Sequence, residues 1–578
     1  ALASARRLAA AGGGLRAPFS LLLLLAPPVP SKVIVVSLDG AGYAMTSQLL
    51  EEGKLPVLER IVREGAWSDG MVSSFPTKTA PAHALLFTGQ PGHVNGITGN
   101  RVLYPALEGS LLETSNGFFS DALRAEPVWM KAARSGLPTY VFHAPQAFPS
   151  RPQPELHIAY GYTEAALPGE MLSASAPRGE LGFAVGESRY RGVFVDDPED
   201  PSRGLDTLQI TSEADPGVVV AAVKPGKGGA FSKPLPAMVG GKKVWFSLRL
   251  FAMASDASSF TLYRSGTSAL SVLPEGLIDG ETPSLEAFAA NGGRSAYLAG
   301  GFGPLRALGG TGEAEEWFLE TEHHLASQLV EEARWGLSRD YGLVLLYSPI
   351  VDEVAHALYG FLCPEIESYD EAIAKDLWPT LAEAFSIQDR LLEMLLEIAD
   401  HDGAHVVVLS DHGMAGIDKL VHLNGVLAKA GLLATSPEGA IDLSRTRALA
   451  LATDDLSIAV NTVDRPKGIV PVEEKLSVLE TVRGVLAGLR DPVTGERVVT
   501  GFFEPATSGL LQPGGGSSGD LFLDLAPGYY PTTSTSSAPS ALVERITPSG
   551  EHGFVPTRRD MLAIFAAYGP RVPKGIRL

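Results

Sequence analysis

Three short stretches are apolar almost without interruption: Val33–Leu38, Leu343–Tyr347 and Val406–Leu409. Runs of that length mark strands buried on both faces of a parallel sheet. A further buried strand is predicted within Asp560–Pro570, near the end of the chain. Between these runs the apolar positions recur at helical spacing over Leu55–Val62, Glu313–Trp335 and Trp378–Ala399. From 150 to 304 the pattern changes: Gly and Pro become frequent, and strand-like runs stand at Gly192–Val195, Val218–Val223, Val244–Phe251 and Phe260–Tyr263. In the third, Val244, Phe246, Leu248 and Leu250 alternate with other residues and share one strand face. The pattern predicts an α/β domain, residues 32–149 and 305–578, interrupted by a β-rich insertion over 150–304. Weaker strands are predicted at Ser457–Asn461 and Leu521–Asp524, a helix at Val472–Leu489, and turns in the GSSGD and STSSAPS stretches.

Residues 1–31 have a different character. Arg6, Arg7 and Arg16 precede the apolar run Phe19–Ala26, which is followed by Pro27, Pro28 and Pro30. That order predicts a signal peptide or leader and an exported, periplasmic or extracellular protein. The apolar run is too short to span a bilayer, and no other run is long and apolar enough, so no membrane span is expected. The 66 acidic residues against 46 basic ones leave a net charge of −20, which repels nucleic-acid backbones and argues against polymer binding. Cys363 is the only cysteine, so neither an internal disulfide nor a cysteine-rich zinc site can form.

Chemistry gathers where the strands end. Asp39-Gly40 follows the first buried strand, a place that faces the ligand crevice of an open α/β sheet, although an Asp there also suits a turn or a helix cap. Asp352 and His356, after the second, stand one helical turn apart and so share a face. Asp411-His412 follows the third, and His552 lies in a Gly-flanked loop before the last strand. Three Asp and three His suffice for two zinc sites of three ligands each, both with a position open for water or substrate. An oxygen nucleophile is available in the segment Met71–Asn100, where Pro76 and Pro81 bracket Thr77-Lys78-Thr79 at the start of a helix predicted through Ala82–Thr88. A hydroxyl at a helix N-terminus lies beside unpaired N–H groups and a positive dipole end, which suits a phosphate; an ordinary Ser/Thr cap would look the same.

The order Asp39, Thr79, Asp352-x-x-x-His356, Asp411-His412, His552 resembles the type I phosphodiesterase/nucleotide pyrophosphatase branch of the alkaline phosphatase superfamily, over roughly residues 32–145 and 315–573. The resemblance implies an α/β fold, an alkaline-phosphatase-like sandwich with a central, mostly parallel sheet flanked by helices. It implies that Thr79 of the loop FPTKTAPAH attacks phosphorus and that Asn100 binds a phosphoryl oxygen. It assigns Asp39, Asp411 and His412, with Thr79, to one zinc, and Asp352, His356 and His552 to the other, for two Zn²⁺ per chain. The expected substrate is a small phosphate ester, cleaved as a diester through a phosphothreonine. A phosphomonoesterase, phosphonate hydrolase or phosphomutase on the same fold is the alternative, and a non-catalytic metal-bearing binding protein a more distant one. Ala80 stands where the family usually has a Phe that clamps a nucleobase, and Asn95 where it usually has a His. Tyr347 matches the other half of the clamp, so Tyr347 is expected to bind substrate and Ala80→Phe to restore nucleotide preference.

Overall fold

The computed structural model describes residues 31–578 apart from 104–108, 162–166, 173–179, 198–203, 228, 282–284, 286–287, 289–291, 455, 506–512, 515–517 and 536–541. The leader and much of the GSSGD and STSSAPS stretches lie outside the described residues. Val33–Leu38 (β1), Ala66–Trp67 (β2), Thr139–Phe142 (β3), Leu156–Tyr160 (β4), Ser271–Leu273 (β5), Leu343–Ser348 (β6), His405–Leu409 (β7), Phe565–Tyr568 (β8) and Ile576–Arg577 (β9) form one sheet in the order β5-β4-β3-β6-β1-β7-β8-β2-β9. The middle strands β4, β3, β6, β1 and β7 are parallel, whereas β5 and β8 run antiparallel to their neighbours. β1 lies between β6 and β7, with Val36 level with Leu346 on one side and Val408 on the other. The three runs that are apolar almost without interruption are therefore the three central strands, covered on both faces.

The helices include Thr79–Thr88 (α1), Glu313–Leu337 (α2), Ile350–Leu362 (α3) and Glu371–Asp402 (α4), of which α1 and α3 carry site residues. α4 starts well before the expected Trp378, because the Asp370 side chain accepts from the N–H groups of Ala372 and Ile373 at 2.8 and 3.1 Å and caps an earlier turn. Of the adjacent histidines in α2, which as neighbours in a helix point in different directions, His323 is exposed. His324 instead stacks flat on Phe231 at 4.1 Å, and burial pushes its imidazole down to about 4.

The β-rich insertion has its own core, around Leu181, Phe194, Leu208, Val244, Phe246 and Leu262. Its two ends do not belong to it: β4 and β5 fall inside the expected 150–304 yet pair in the central sheet. The run Val244–Phe251 is two strands, Lys242–Phe246 and Leu248–Met253, broken at Ser247. Its alternating residues are buried as expected, but so is Arg249, whose Nε donates to Glu320 of α2 at 2.7 Å. The second face of that strand lies against the α/β domain, which the alternation alone does not show.

The C-terminal part holds a second core that periodicity did not separate from the first. The helix Lys475–Ala487 packs on the strands Ala448–Ala450, Ser457–Val460, Leu521–Leu525 and Val499–Phe503 around Leu427, Ile458, Val482 and Leu521. Beside it, Ala415–His422 pairs with Gly528–Thr532 and Val543–Glu551, and the last of these strands delivers His552. Among the described residues, no helix is long and apolar enough to cross a membrane.

Candidate active site

Parallel strands end side by side, so the C-terminal ends of β1, β6 and β7 bring distant residues to one place. The Asp39 N–H donates to Ser348 O at 2.9 Å, and the Gly40 N–H to Asp411 Oδ1 at 3.1 Å. Gly40 has φ +67, and a Cβ there would meet Asp352 Cα at 2.9 Å. Glycine is needed at this turn both for its backbone and for the close approach of α3.

Asp39, Asp352, Asp411, His412 and His552 are buried, and His356 is partly so. His412 Nε2 lies 3.1 Å from Asp411 Oδ2 and 3.4 Å from Asp39 Oδ1. His356 Nε2 lies 3.4 Å from Asp352 Oδ2, and His552 Nε2 lies 3.8 Å from Asp352 Oδ1. Asp39, Asp411 and His412 can offer ligand atoms all within 4.8 Å of one another, as expected. Asp352 and His552 make a second such trio, completed by His412, whose ring stacks on His552 at 3.7 Å. His356, expected in that trio, stands beside it with its ring 5.0 Å from that of His552.

The donor set fits divalent cations. Each imidazole has its Nδ1 on a backbone carbonyl: His356 on Gly550 O at 2.7 Å, His412 on Gly413 O at 2.9 Å, and His552 on Thr77 O at 2.8 Å. Those bonds assign the N–H to Nδ1 and turn the Nε2 lone pair inward, as in metal-binding histidines. Facing them, Asp39 Oδ1, Asp352 Oδ1 and Asp411 Oδ2 are buried without a hydrogen-bond partner. Lone pairs meeting lone pairs out of water repel unless a cation lies between them. Without one, protons do part of that work. Burial, then the charges of Asp411 and Asp352, pushes the Asp39 carboxyl well above its usual range. Burial lowers the imidazole of His412, but Asp411, Asp352 and the Gly413 carbonyl together more than offset it, and the net shift is upward. Burial, followed by His412 and His356, holds His552 far below the usual imidazole range.

The loop before α1 distinguishes its two threonines. Thr77 Oγ1 donates to Phe554 O at 2.9 Å and accepts from the Gly553 N–H at 3.0 Å, so Thr77 fastens the loop to the His552 segment. Thr79, the first residue of α1, places Oγ1 3.4 Å from His412 Nε2. It is therefore Thr79 that reaches the cluster. Asn100 Oδ1 accepts from the Ala80 N–H at 2.9 Å, so its oxygen is tied to the first turn of α1 and its NH₂ is the group left to donate.

Two expectations about the nucleobase clamp need correction. Tyr347 does not offer a ring face to a ligand: it is buried in β6, edge-on to His83, and its hydroxyl donates to Asp39 Oδ2. Ala80 is fully buried beside Ala84, Ile97 and Val102, so a Phe at that position would overpack α1 instead of stacking on a base.

Sequence reasoning passed over two residues. His83 Nδ1 lies 2.8 Å from Thr79 O and 3.4 Å from Asp411 Oδ2, while its Nε2 is 2.8 Å from Ser37 Oγ. It stands four residues after Thr79, the helical spacing that would have placed both on one face. Lys78 is buried between the two threonines, with Nζ donating to the Tyr530 hydroxyl and lying 5.0 Å from the centre of that ring. No local pattern signals that partner, 452 residues away.

A family model described as type I phosphodiesterase / nucleotide pyrophosphatase matches residues 33–179 and 273–555, and the gap between the two segments falls inside the β-rich insertion. Ectonucleotide pyrophosphatase/phosphodiesterase family member 1 of Homo sapiens is 31% identical over 115 residues, 19% of this chain. That match spans 12% of the human protein's length. Among solved structures, human ectonucleotide pyrophosphatase/phosphodiesterase 5 aligns at 13% identity with a TM-score of 0.45, covering 95% of this chain and 90% of that one. An inactive murine form of the same protein, in complex with AMP, aligns at 13% identity with a TM-score of 0.44 over the same shares.

Proposed function

Since the chain belongs to the type I phosphodiesterase/nucleotide pyrophosphatase family of the alkaline phosphatase superfamily, we propose that it hydrolyses phosphodiesters through a phosphothreonine at Thr79, with two zinc ions per chain as cofactors. The main support is the meeting of three unpartnered carboxylate oxygens and three inward-facing imidazole nitrogens beside the Thr79 hydroxyl. Asp39, Asp411 and His412, with Thr79, would hold one ion; Asp352 and His552 would hold the other, with His356 joining them from beside the trio. When bound, the ions supply positive charge that lowers the pKa of the Thr79 hydroxyl and of water and offsets charge on the phosphoryl group. The protein's own groups do the positioning. In this reading Thr79 Oγ1, at the start of α1, gives up its proton and attacks phosphorus, the ester oxygen takes a proton and leaves as an alcohol, and water then cleaves the phosphothreonine. The Asn100 NH₂ donates to a phosphoryl oxygen whose charge grows at the transition state. The basic and apolar order of residues 6–26 supports export.

The test joins a metal assay to rates on a panel of esters. Bis-p-nitrophenyl phosphate should be a better substrate than p-nitrophenyl phosphate in kcat/KM; the reverse order would make the protein a monoesterase. With neither Ala80 nor Tyr347 offering a ring face, a nucleotide gains no stacking from those positions, where one aromatic face is worth roughly 1–3 kcal/mol. Nucleotide diesters should therefore exceed bis-p-nitrophenyl phosphate by less than about 100-fold in kcat/KM, or about 2.7 kcal/mol. A larger preference would require an aromatic surface elsewhere.

Tyr347 acts on the cluster from behind. Tyr347→Phe removes the hydrogen bond to Asp39 Oδ2 while keeping the ring. Metal affinity should fall about 10- to 100-fold, as is usual when a ligand loses its supporting partner. Titration of the apo protein with zinc measures this, and unchanged affinity would remove Tyr347 from the machinery.

A further inference from the structure

Beyond β3 the chain turns through His143-Ala144-Pro145-Gln146, and both His143 and Gln146 are left-handed, with φ of 58° and 61°. Residues other than glycine rarely adopt that conformation and hold it only where the surroundings impose it. His143 is held by Glu332, whose carboxylate oxygens lie 2.9 and 2.8 Å from Nε2, and by Phe288, stacked on its ring at 3.8 Å. The Gln146 N–H donates to Phe118 O at 2.7 Å. The turn aims a buried carboxamide at the back of the site. Gln146 Nε2 donates to Gly117 O at 2.7 Å and to Ala80 O at 3.2 Å.

Those two residues also hold Asn100. The Ala80 N–H donates to Asn100 Oδ1 at 2.9 Å, and the Gly117 N–H donates to Asn100 O at 2.9 Å. Gln146 thus closes a ring that joins the first turn of α1, the Asn100 loop and the segment around Gly117. Ala80 directly follows Thr79, so the ring spans the nucleophile on one side and the oxyanion donor on the other. We propose that Gln146 is a positioning residue that sets Thr79 against Asn100, an inference that rests on the roles proposed for those two residues. Its NH₂ carries the function, since two carbonyl oxygens face it and a carboxylate there would repel both. Its side-chain hydrogen bonds go to Ala80 O and Gly117 O and to none of the carboxylates and imidazoles of the cluster. Its effect belongs in kcat, because a misplacement of about 1 Å between reacting groups can cost about 10²-fold.

The test is a double-mutant cycle on the zinc-loaded full chain with bis-p-nitrophenyl phosphate. Gln146→Met should lower kcat about 10- to 100-fold, with KM within about 2-fold and zinc content unchanged. Gln146→Glu keeps the shape but not the donor and should lose at least as much; it is the variant to read if Gln146→Met does not fold. In an Asn100→Ala background either change should cost less than about 3-fold, because the group being positioned is already gone. Losses that multiply in the double variant, or a normal kcat in the Gln146 variants, would overturn the proposal and leave the roles of Thr79 and Asn100 standing. A normal kcat in Asn100→Ala alone would overturn both.

Discussion

Thr79→Ala is expected to lower kcat on a diester by roughly 10³-fold or more, about 4 kcal/mol at the transition state, while the protein stays folded. The size follows from what is removed. Thr79 places its hydroxyl 3.4 Å from His412 Nε2, whereas Thr77 spends its hydroxyl on Phe554 O and the Gly553 N–H, and the Tyr347 hydroxyl is committed to Asp39 Oδ2. No other side chain of the loop can take over the attack. The fold should be little affected, since Ala is accepted at the first position of a helix and α1 has no side-chain cap to lose. Zinc should still bind through the carboxylates and imidazoles, so metal content separates lost chemistry from a lost site. Mass spectrometry after rapid quenching should find a phosphoryl group on the peptide containing Thr79 in the unaltered protein and none in the variant. A variant with a near-normal rate would exclude covalent catalysis at this residue.

The second large effect is that of metal removal. Chelation should abolish activity by at least about 100-fold, and added zinc should restore it, with two ions bound per chain. His356→Ala should weaken one site, whereas Asp411→Ala should weaken the other; elemental analysis showing one ion per active chain would refute the arrangement. Protons should oppose the metal in a definite direction. Burial and the neighbouring carboxylates raise the Asp39 carboxyl, so the apo protein retains a proton there above the ordinary carboxylate range. Zinc must displace that proton, and affinity should therefore rise with pH until the raised pKa is passed. Calorimetry in buffers of different ionisation enthalpy should register proton release on binding. Binding without proton release would mean that Asp39 is already ionised in the apo protein.

Much of this architecture is legible from the pattern of residues. An uninterrupted apolar run can be covered only by burial on both faces, and β1, β6 and β7 do lie at the centre of the sheet. Parallel strands carry their C-terminal residues to one edge, which is why Asp39, Asp352 and Asp411 could be grouped from their positions after such runs. The spacing of Asp352 and His356 is a local property of a helix, and it survives folding unchanged.

The remainder depends on contacts between residues far apart in the chain. β4 and β5 read as part of the insertion because short strands carry no sign of which sheet they join; the pairing of β4 with β3, and of β5 with β4, decided it. Tyr347 matched a substrate-binding position, yet its hydroxyl found Asp39, 308 residues earlier in the chain. Whether a tyrosine stacks on a ligand or supports a carboxylate is settled by what packs across from it. Gln146 lies in a turn with no motif, and its importance arises only where Ala80 and Gly117 meet. Sequence by itself determined which strands lie at the centre of the sheet and which residues carry ligand chemistry, because periodicity and residue type are properties of the local chain. Tertiary structure alone decided which groups face one another, because the energy of a buried hydrogen bond or charge depends on a partner that the local chain does not contain.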